Sequence, residues 1–206
     1  MAEFILRSRK GRSTADSADS LAATGHLEIL APCVVNALFY SGNIRPNTIV
    51  HVVFEGPSAA PKTVRFESDQ LCSLEGHSEG AIGGVMHRAL YRGRTLNLGE
   101  EISVDSGLFV AKTSFEHLIK EKCVASPCYY LHKRGMDIRS TELDPASVFV
   151  FSDHMSMPKK SEKHLARLGA AALSLGPRTL FASQCIALVQ NELDRREFGG
   201  TPIQPA

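Results

Sequence analysis

Two short apolar runs in the last third of the chain stop at corners whose residue types can do chemistry. VFVF ends in Ser152-Asp153-His154, and AALSL ends in Gly176-Pro177 before TLFASQC and a long helical pattern. Buried strands that stop at polar or Gly-Pro corners present loop backbone at their carboxyl ends, where open α/β sheets bind small molecules. The corners point to a ligand, but no common fingerprint names it. The sequence G-x-x-x-x-G-K-[ST] is absent, and the glycines of residues 80–84 fall in a helical pattern rather than a strand-to-helix turn. There is no G-x-S-x-G elbow and no H-E-x-x-H pair. Cys123, Cys128 and His132 have the spacing of half a metal site, but structural zinc needs a fourth ligand from a second compact pair, so no metal is expected.

These corners need strands and helices to hold them. Residues 3–8 read as a first strand, followed by a long polar loop rich in Ser, Ala and Asp, of the kind that is often functional or mobile. Apolar residues at Leu27, Leu30, Val34 and Leu38 predict a helix over 27–40, bent or begun at Pro32. Residues 48–54 and 62–66 read as strands around a Pro-containing turn, and 102–112 as a hairpin around Asp105-Ser106-Gly107. Residues 78–92 are helical despite their glycines, and Ser114 caps a short helix over 115–121. Three buried-type strands follow over 127–132, 147–151 and 171–175, separated by Lys133-Arg134-Gly135 and by a helix over 158–168. The closing helix, 182–196, carries Ile186, Val189 and Leu193 on one stripe with Cys185 beside them, a face made to dock on the sheet or on a partner subunit. Strands alternating with helices imply an α/β fold with a mostly parallel sheet covered on both faces.

The chain has 206 residues, 43% of them hydrophobic, which suits one compact domain. Its 23 basic and 22 acidic side chains leave a net charge of +1, so any nucleic-acid contact must come from local patches. Phe4 to Leu6 is far too short for a signal core or a membrane span, so a cytoplasmic protein without a membrane partner is expected. The odd cysteine set of Cys33, Cys72, Cys123, Cys128 and Cys185 then reads as reduced thiols.

Several separated segments occur together and in order: CVVNALFYSGNIRPNTIVHVVFEGP, TVRFES, VFVFSDH and LSLGPRTLFASQCIALVQNELDRR. In this they resemble the archaeal tRNA pseudouridine N1-methyltransferases of the TrmY family, members of the SPOUT methyltransferases, over most of the chain. The resemblance implies one domain spanning 1–206, with a trefoil knot in a C-terminal region of about 125–197, an S-adenosylmethionine site made by the knotted loops, and a homodimer. It also implies transfer of a methyl group to N1 of a pseudouridine in the T-loop of tRNA.

Carried over by position, the cofactor lies against Leu131, Ser152, Leu173, Leu175, Gly176, Leu180 and Cys185. By residue type alone Leu131 and Cys185 serve equally as core and Gly176-Pro177 as a turn; the resemblance assigns them to an apolar slot for adenine. Where the family has Gly-Asp-His this chain has Ser152-Asp153-His154, so a side chain there either crowds the cofactor or adds a hydroxyl hydrogen bond. Pseudouridine N1 must lose a proton to become nucleophilic, which a carboxylate can promote and cationic or amide donors can assist. Asp153 is the candidate base or orienter of a base, and Asn36 and Arg65 are candidates to bind the uracil edge. As bland alternatives, Asp153 caps a loop, Asn36 bonds the backbone and Arg65 is a solvated strand residue.

The basic cluster Arg7, Arg9, Lys10 and Arg12 is the candidate RNA grip, with Lys133, Arg134, Lys159, Lys160 and Lys163 as further phosphate contacts. The expected partner is tRNA or another structured RNA, not DNA. Two alternatives remain open: the same chemistry on a ribosomal RNA loop, and a catalytically inactive knotted RNA-binding protein.

Overall fold

The computed structural model describes residues 1–15, 27–71, 74, 76 and 78–198. Most of the polar loop that follows the first strand, and Cys72, lie outside the described residues. The chain runs β1 (Ala2–Ser8), α1 (Leu27–Leu38), a hairpin of β2 (Phe39–Tyr40) and β3 (Asn43–Ile44), then β4 (Thr48–Phe54) and β5 (Lys62–Glu67). It continues through α2 (Glu79–Arg92), β6 (Glu101–Asp105), β7 (Leu108–Ala111), α3 (Phe115–Ala125) and β8 (Cys128–Asp137). The last part holds β9 (Val148–Ser152), α4 (Lys159–Arg167), β10 (Ala171–Ser174) and α5 (Ala182–Glu197).

Eight strands form one sheet in the order β10-β8-β9-β1-β4-β5-β7-β6. From β10 to β4 every neighbouring pair is parallel, and β5, β7 and β6 add an antiparallel edge. Alternation along each strand sorts side chains between two cores. Phe4, Leu6, Val50, Val52, Phe149 and Phe151 point to one face, where they meet buried residues of α1, α2 and α5. Ile5, Val53, Val148 and Val150 point to the other, under α3 and α4. On the first face Phe4 stacks on Phe149 and Phe151 with centroids 5.6 and 6.0 Å apart, and Tyr129 stacks on Phe149 at 5.7 Å. This aromatic row crosses β1, β9 and β8, the strands whose ends carry the polar corners.

Helix α5 docks within the chain, along α1. Ile186 and Val189 are buried, Gln190 Nε2 donates to the Ala37 carbonyl at 2.7 Å, and Arg45 grips Asp194 with two bonds of 2.5 and 2.8 Å. Expected and observed boundaries differ most at β8, which runs on through Lys133-Arg134-Gly135 to Asp137 instead of stopping there. The reason is a register shift. β10 pairs first with Tyr129 and Tyr130 and then with Met136 and Asp137, so the stretch between them swells out of the ladder. A side chain on Gly135 would lie 2.5 Å from the Leu173 nitrogen, so only glycine permits this approach of the two backbones.

Two of the thiols sit side by side. Cys123 near the end of α3 and Cys128 at the start of β8 have Cα atoms 5.1 Å apart, within the span that a disulfide bridges. No group of three His, Cys, Asp or Glu able to hold a metal occurs among the described residues. Within those residues no helix is long and apolar enough to cross a membrane.

One ionisable cluster is built into the second face. His51 Nε2 lies 2.9 Å from Glu3 Oε2, and Lys122 Nζ lies 3.0 Å from the same carboxylate. Burial would raise the Glu3 carboxyl, but the bonds from His51 and Lys122 outweigh it and hold it down to about 2. Burial pushes His51 down, and Glu3 only partly restores it. Both folded values lie below their unfolded ones, so both groups stabilise at neutral pH and lose that contribution on acidification. The melting midpoint is expected to fall as pH drops below about 6.5, from His51, and again between about pH 4.3 and 2, from Glu3. Thermal melts across this range check it; His51→Gln should flatten the upper limb and also shrink the lower one, because His51 is one of the two groups that hold Glu3 down.

Candidate active site

At the carboxyl ends of β9 and β10, beside the middle of β8, lies a cleft of about 810 Å³. Its apolar wall includes Leu131, Val150, Phe151, Leu173, Leu175 and Leu180, and the first turn of α5 closes it with Ala182, Ser183 and Cys185. The opposite wall is the first half of α1, with Glu28, Ile29, Pro32 and Cys33. Cations at Lys133 and Arg178 and acids at Asp153 and Glu162 border it. Such a cleft can take a ligand with a flat apolar part and a charged part, with room for a second group beside it.

All seven residues expected to hold a cofactor line this one cleft: Leu131, Ser152, Leu173, Leu175, Gly176, Leu180 and Cys185. Gly176 has φ +123°, a backbone conformation that side-chain-bearing residues rarely adopt. The corner at β9 is internally closed. The Ser152 hydroxyl donates to the Met155 carbonyl, and the Met155 N–H donates to Asp153 Oδ1 at 2.9 Å. Ser152 is therefore turned into its own loop and spends its proton there.

Asp153 is the buried acid of the cleft. Its backbone N–H donates to the Arg7 carbonyl at 3.0 Å, which continues the β1–β9 ladder by one bond past the strand end. Its Oδ2 is buried and has no hydrogen-bond partner among the described residues. A carboxylate oxygen held this way has a strong unmet demand for a proton or a donor. Close by, burial pushes the Cys33 thiol up to about 12, and the charges of Cys185 and Asp153 push the same way. Cys33 Sγ donates to the Ile29 carbonyl at 3.3 Å, and burial raises Cys185 as well, so both thiols stay protonated at neutral pH.

Three expected roles change. Asn36 is outside the cleft lining; its amide donates to the Ser183 carbonyl at 3.1 Å and ties α1 to the first turn of α5. Arg65 is not brought to the cleft at all. It lies on β5, across β4 from the strands that form the site, ion-paired with Glu67 and Glu101 and 4.0 Å over the Phe109 ring. Arg7 is not a surface cation: it is 7% exposed, and its charge is already met by Glu55 and Glu116. Of the basic cluster, Lys10 and Arg12 are exposed and Arg9 is half-buried. Their segment leaves β1 beside the end of β9, and Ser13 Oγ pins it to the turn after β4 by donating to the Gly56 carbonyl and accepting from the Ala59 N–H, both at 3.0 Å.

Sequence reasoning missed the α1 wall and the exposed Phe181 at the mouth. Their positions depend on how α1 and α5 pack, and no local motif records that.

The structure resembles Archaeoglobus fulgidus Nep1, solved bound to S-adenosylhomocysteine, over 96% of this chain and 99% of that one, with a TM-score of 0.64 at 11% identity. A family model described as "Putative SAM-dependent RNA methyltransferase" matches residues 1–198. Proteins named "Putative pseudouridine methyltransferase" from Vibrio cholerae and Photobacterium profundum are 35% and 36% identical, covering 97% and 94% of this chain and 100% and 98% of their own lengths. The chain belongs to this family of S-adenosylmethionine-dependent RNA methyltransferases.

A β-branched side chain at position 176 would both strain the backbone and narrow the cleft. Gly176→Val is expected to weaken S-adenosylhomocysteine binding tenfold or more, roughly the effect of 1.4 kcal/mol, measured by titration calorimetry.

Proposed function

We propose that this protein methylates N1 of a pseudouridine in the T-loop of a tRNA, with Asp153 taking the N1 proton on Oδ2. The observation that carries the reading is the buried, unpartnered Oδ2 in a cleft whose apolar walls fit adenosine. The names of the relatives support the choice of base. When bound, S-adenosylmethionine supplies an electrophilic sulfonium methyl, so the protein has mainly to orient the nucleophile, exclude water and remove a proton.

The residues present fit that cofactor. Leu131, Leu173, Leu175 and Leu180 offer an apolar slot, Gly176 exposes backbone, and Cys185 together with the first turn of α5 closes the pocket. Ser152 offers no free donor, since its hydroxyl proton is bonded to the Met155 carbonyl. This favours an active enzyme over an inactive RNA-binding relative. Asp153 is held by its backbone bond to Arg7 and by the Met155 N–H, so a single oxygen is left for the substrate.

RNA would approach from the rim formed by Lys10 and Arg12, with the exposed Lys133 and Arg134 of β8 and Lys159, Lys160 and Lys163 of α4 as further phosphate contacts. Single-base chemistry requires the target to leave its stack, which a tRNA loop allows at small cost. We read residues 1–206 as one cytoplasmic methyltransferase domain. The arrangement in which α4 carries the chain from β9 past β8 to β10, and α5 returns to α1, supports a trefoil knot in its C-terminal region. Exposed Leu188 on the outer face of α5 supports a homodimer.

Asp153→Asn is expected to lower methyl transfer by about 10²- to 10⁴-fold while leaving S-adenosylhomocysteine affinity near that of the wild type. Radiolabelled transfer to matched tRNAs with and without pseudouridine tests the substrate, and equal labelling of both rejects the N1 assignment. Lys10→Ala and Arg12→Ala should each weaken tRNA binding and reduce the slope of log affinity against log salt by about 1.

A further inference from the structure

Arg7 belongs by sequence to the basic cluster, yet it reaches both ends of the segment that forms the β9 corner. It pairs with Ser152 in the β1–β9 ladder, and its carbonyl accepts the Asp153 N–H at 3.0 Å. Its side chain leaves on the α3–α4 side of the sheet. There Nη1 donates to Ser161 Oγ on α4 at 2.6 Å and meets Met157 Sδ at 3.8 Å. Nε and Nη2 take the two oxygens of Glu55 at 2.8 and 3.0 Å, and Nη2 also reaches Glu116 at 3.1 Å. The guanidinium lies 4.2 Å from the centre of the Phe115 ring. Each donor nitrogen thus has acceptors, in a planar fork that a lysine ammonium cannot reproduce.

The segment from Asp153 to Ser161 is therefore pinned at its start by the backbone of Arg7 and at its end by the side chain. Between the pins, His154, Met155 and Met157 line the cleft. Through Glu55 the same guanidinium holds the turn after β4. In that turn, the Gly56 N–H donates to the Gly11 carbonyl at 2.9 Å, and a side chain at position 56 would lie 2.4 Å from the same oxygen. One buried cation thus joins the cleft segment to the rim segment that carries Lys10 and Arg12.

We infer that Arg7 is a positioning residue for methyl transfer, setting the 153–161 segment against the cleft and holding the rim in fixed relation to it. This rests on the reading of the cleft as the cofactor site. The test compares steady-state kinetics, S-adenosylhomocysteine affinity and melting for four variants. Ser161→Ala, which removes only the far pin, should raise the KM for S-adenosylmethionine and the Kd for S-adenosylhomocysteine about three- to tenfold. Its kcat should stay within about twofold and its melting midpoint within about 2 °C of wild type. Glu116→Gln should lower the melting midpoint and leave KM unchanged. Arg7→Lys should fail to restore the KM that Arg7→Met loses. If Ser161→Ala binds as wild type and the Arg7 variants lose only melting temperature, Arg7 is a structural pillar and the inference fails. If Gly176→Val also binds as wild type, the cleft itself has been misassigned.

Discussion

The parallel hydrogen-bonding of β1 between β9 and β4 is the constraint from which the rest of the structure follows. Because neighbours run in the same direction, their carboxyl ends come out at one edge, and each return must cross a face of the sheet as a helix or long connection. The two helical layers, the cores on either side and the cleft at the strand ends all result from that arrangement. Even the placement of Asp153 is an extension of it, since its backbone bond to Arg7 prolongs the ladder past the last strand residue.

Polar groups in the site are sorted by what they have left to offer. Ser152, Asn36 and Arg7 direct donors to loop, helix and ion-pair partners, which makes them parts of the frame. Asp153 alone among these keeps a buried oxygen unmet. A site arranged this way concentrates its electrostatic demand at one atom instead of spreading it over the wall, and a rigid surround keeps that atom in place without reorganisation.

Much of this was legible in the sequence. The strands β1, β4, β5 and β9 and the cap at Ser114 follow from alternation, β-branched runs and N-cap chemistry, all local signals. The cleft residues of β9, β10 and α5 were also accessible, because they stand at strand ends and helix starts that a motif can mark. Arg7 and Arg65 were misread for one shared reason. A cation in sequence looks the same whether solvent or carboxylates surround it, and Glu55, Glu67, Glu101 and Glu116 come from other elements. The extension of β8 past Gly135 was hidden for a similar reason, since the shift belongs to its pairing with β10.

The protonated thiols of Cys33 and Cys185 have a chemical consequence for an enzyme that handles an alkylating agent. A sulfur anion next to a sulfonium methyl would compete with the RNA base and end as a dead thioether. With Cys33 pushed up to about 12, the anion amounts to about one part in 10⁵ at neutral pH, against a few per cent for an ordinary cysteine. Low dielectric around α1 thus keeps the Cys33 sulfur in its neutral, weakly nucleophilic form.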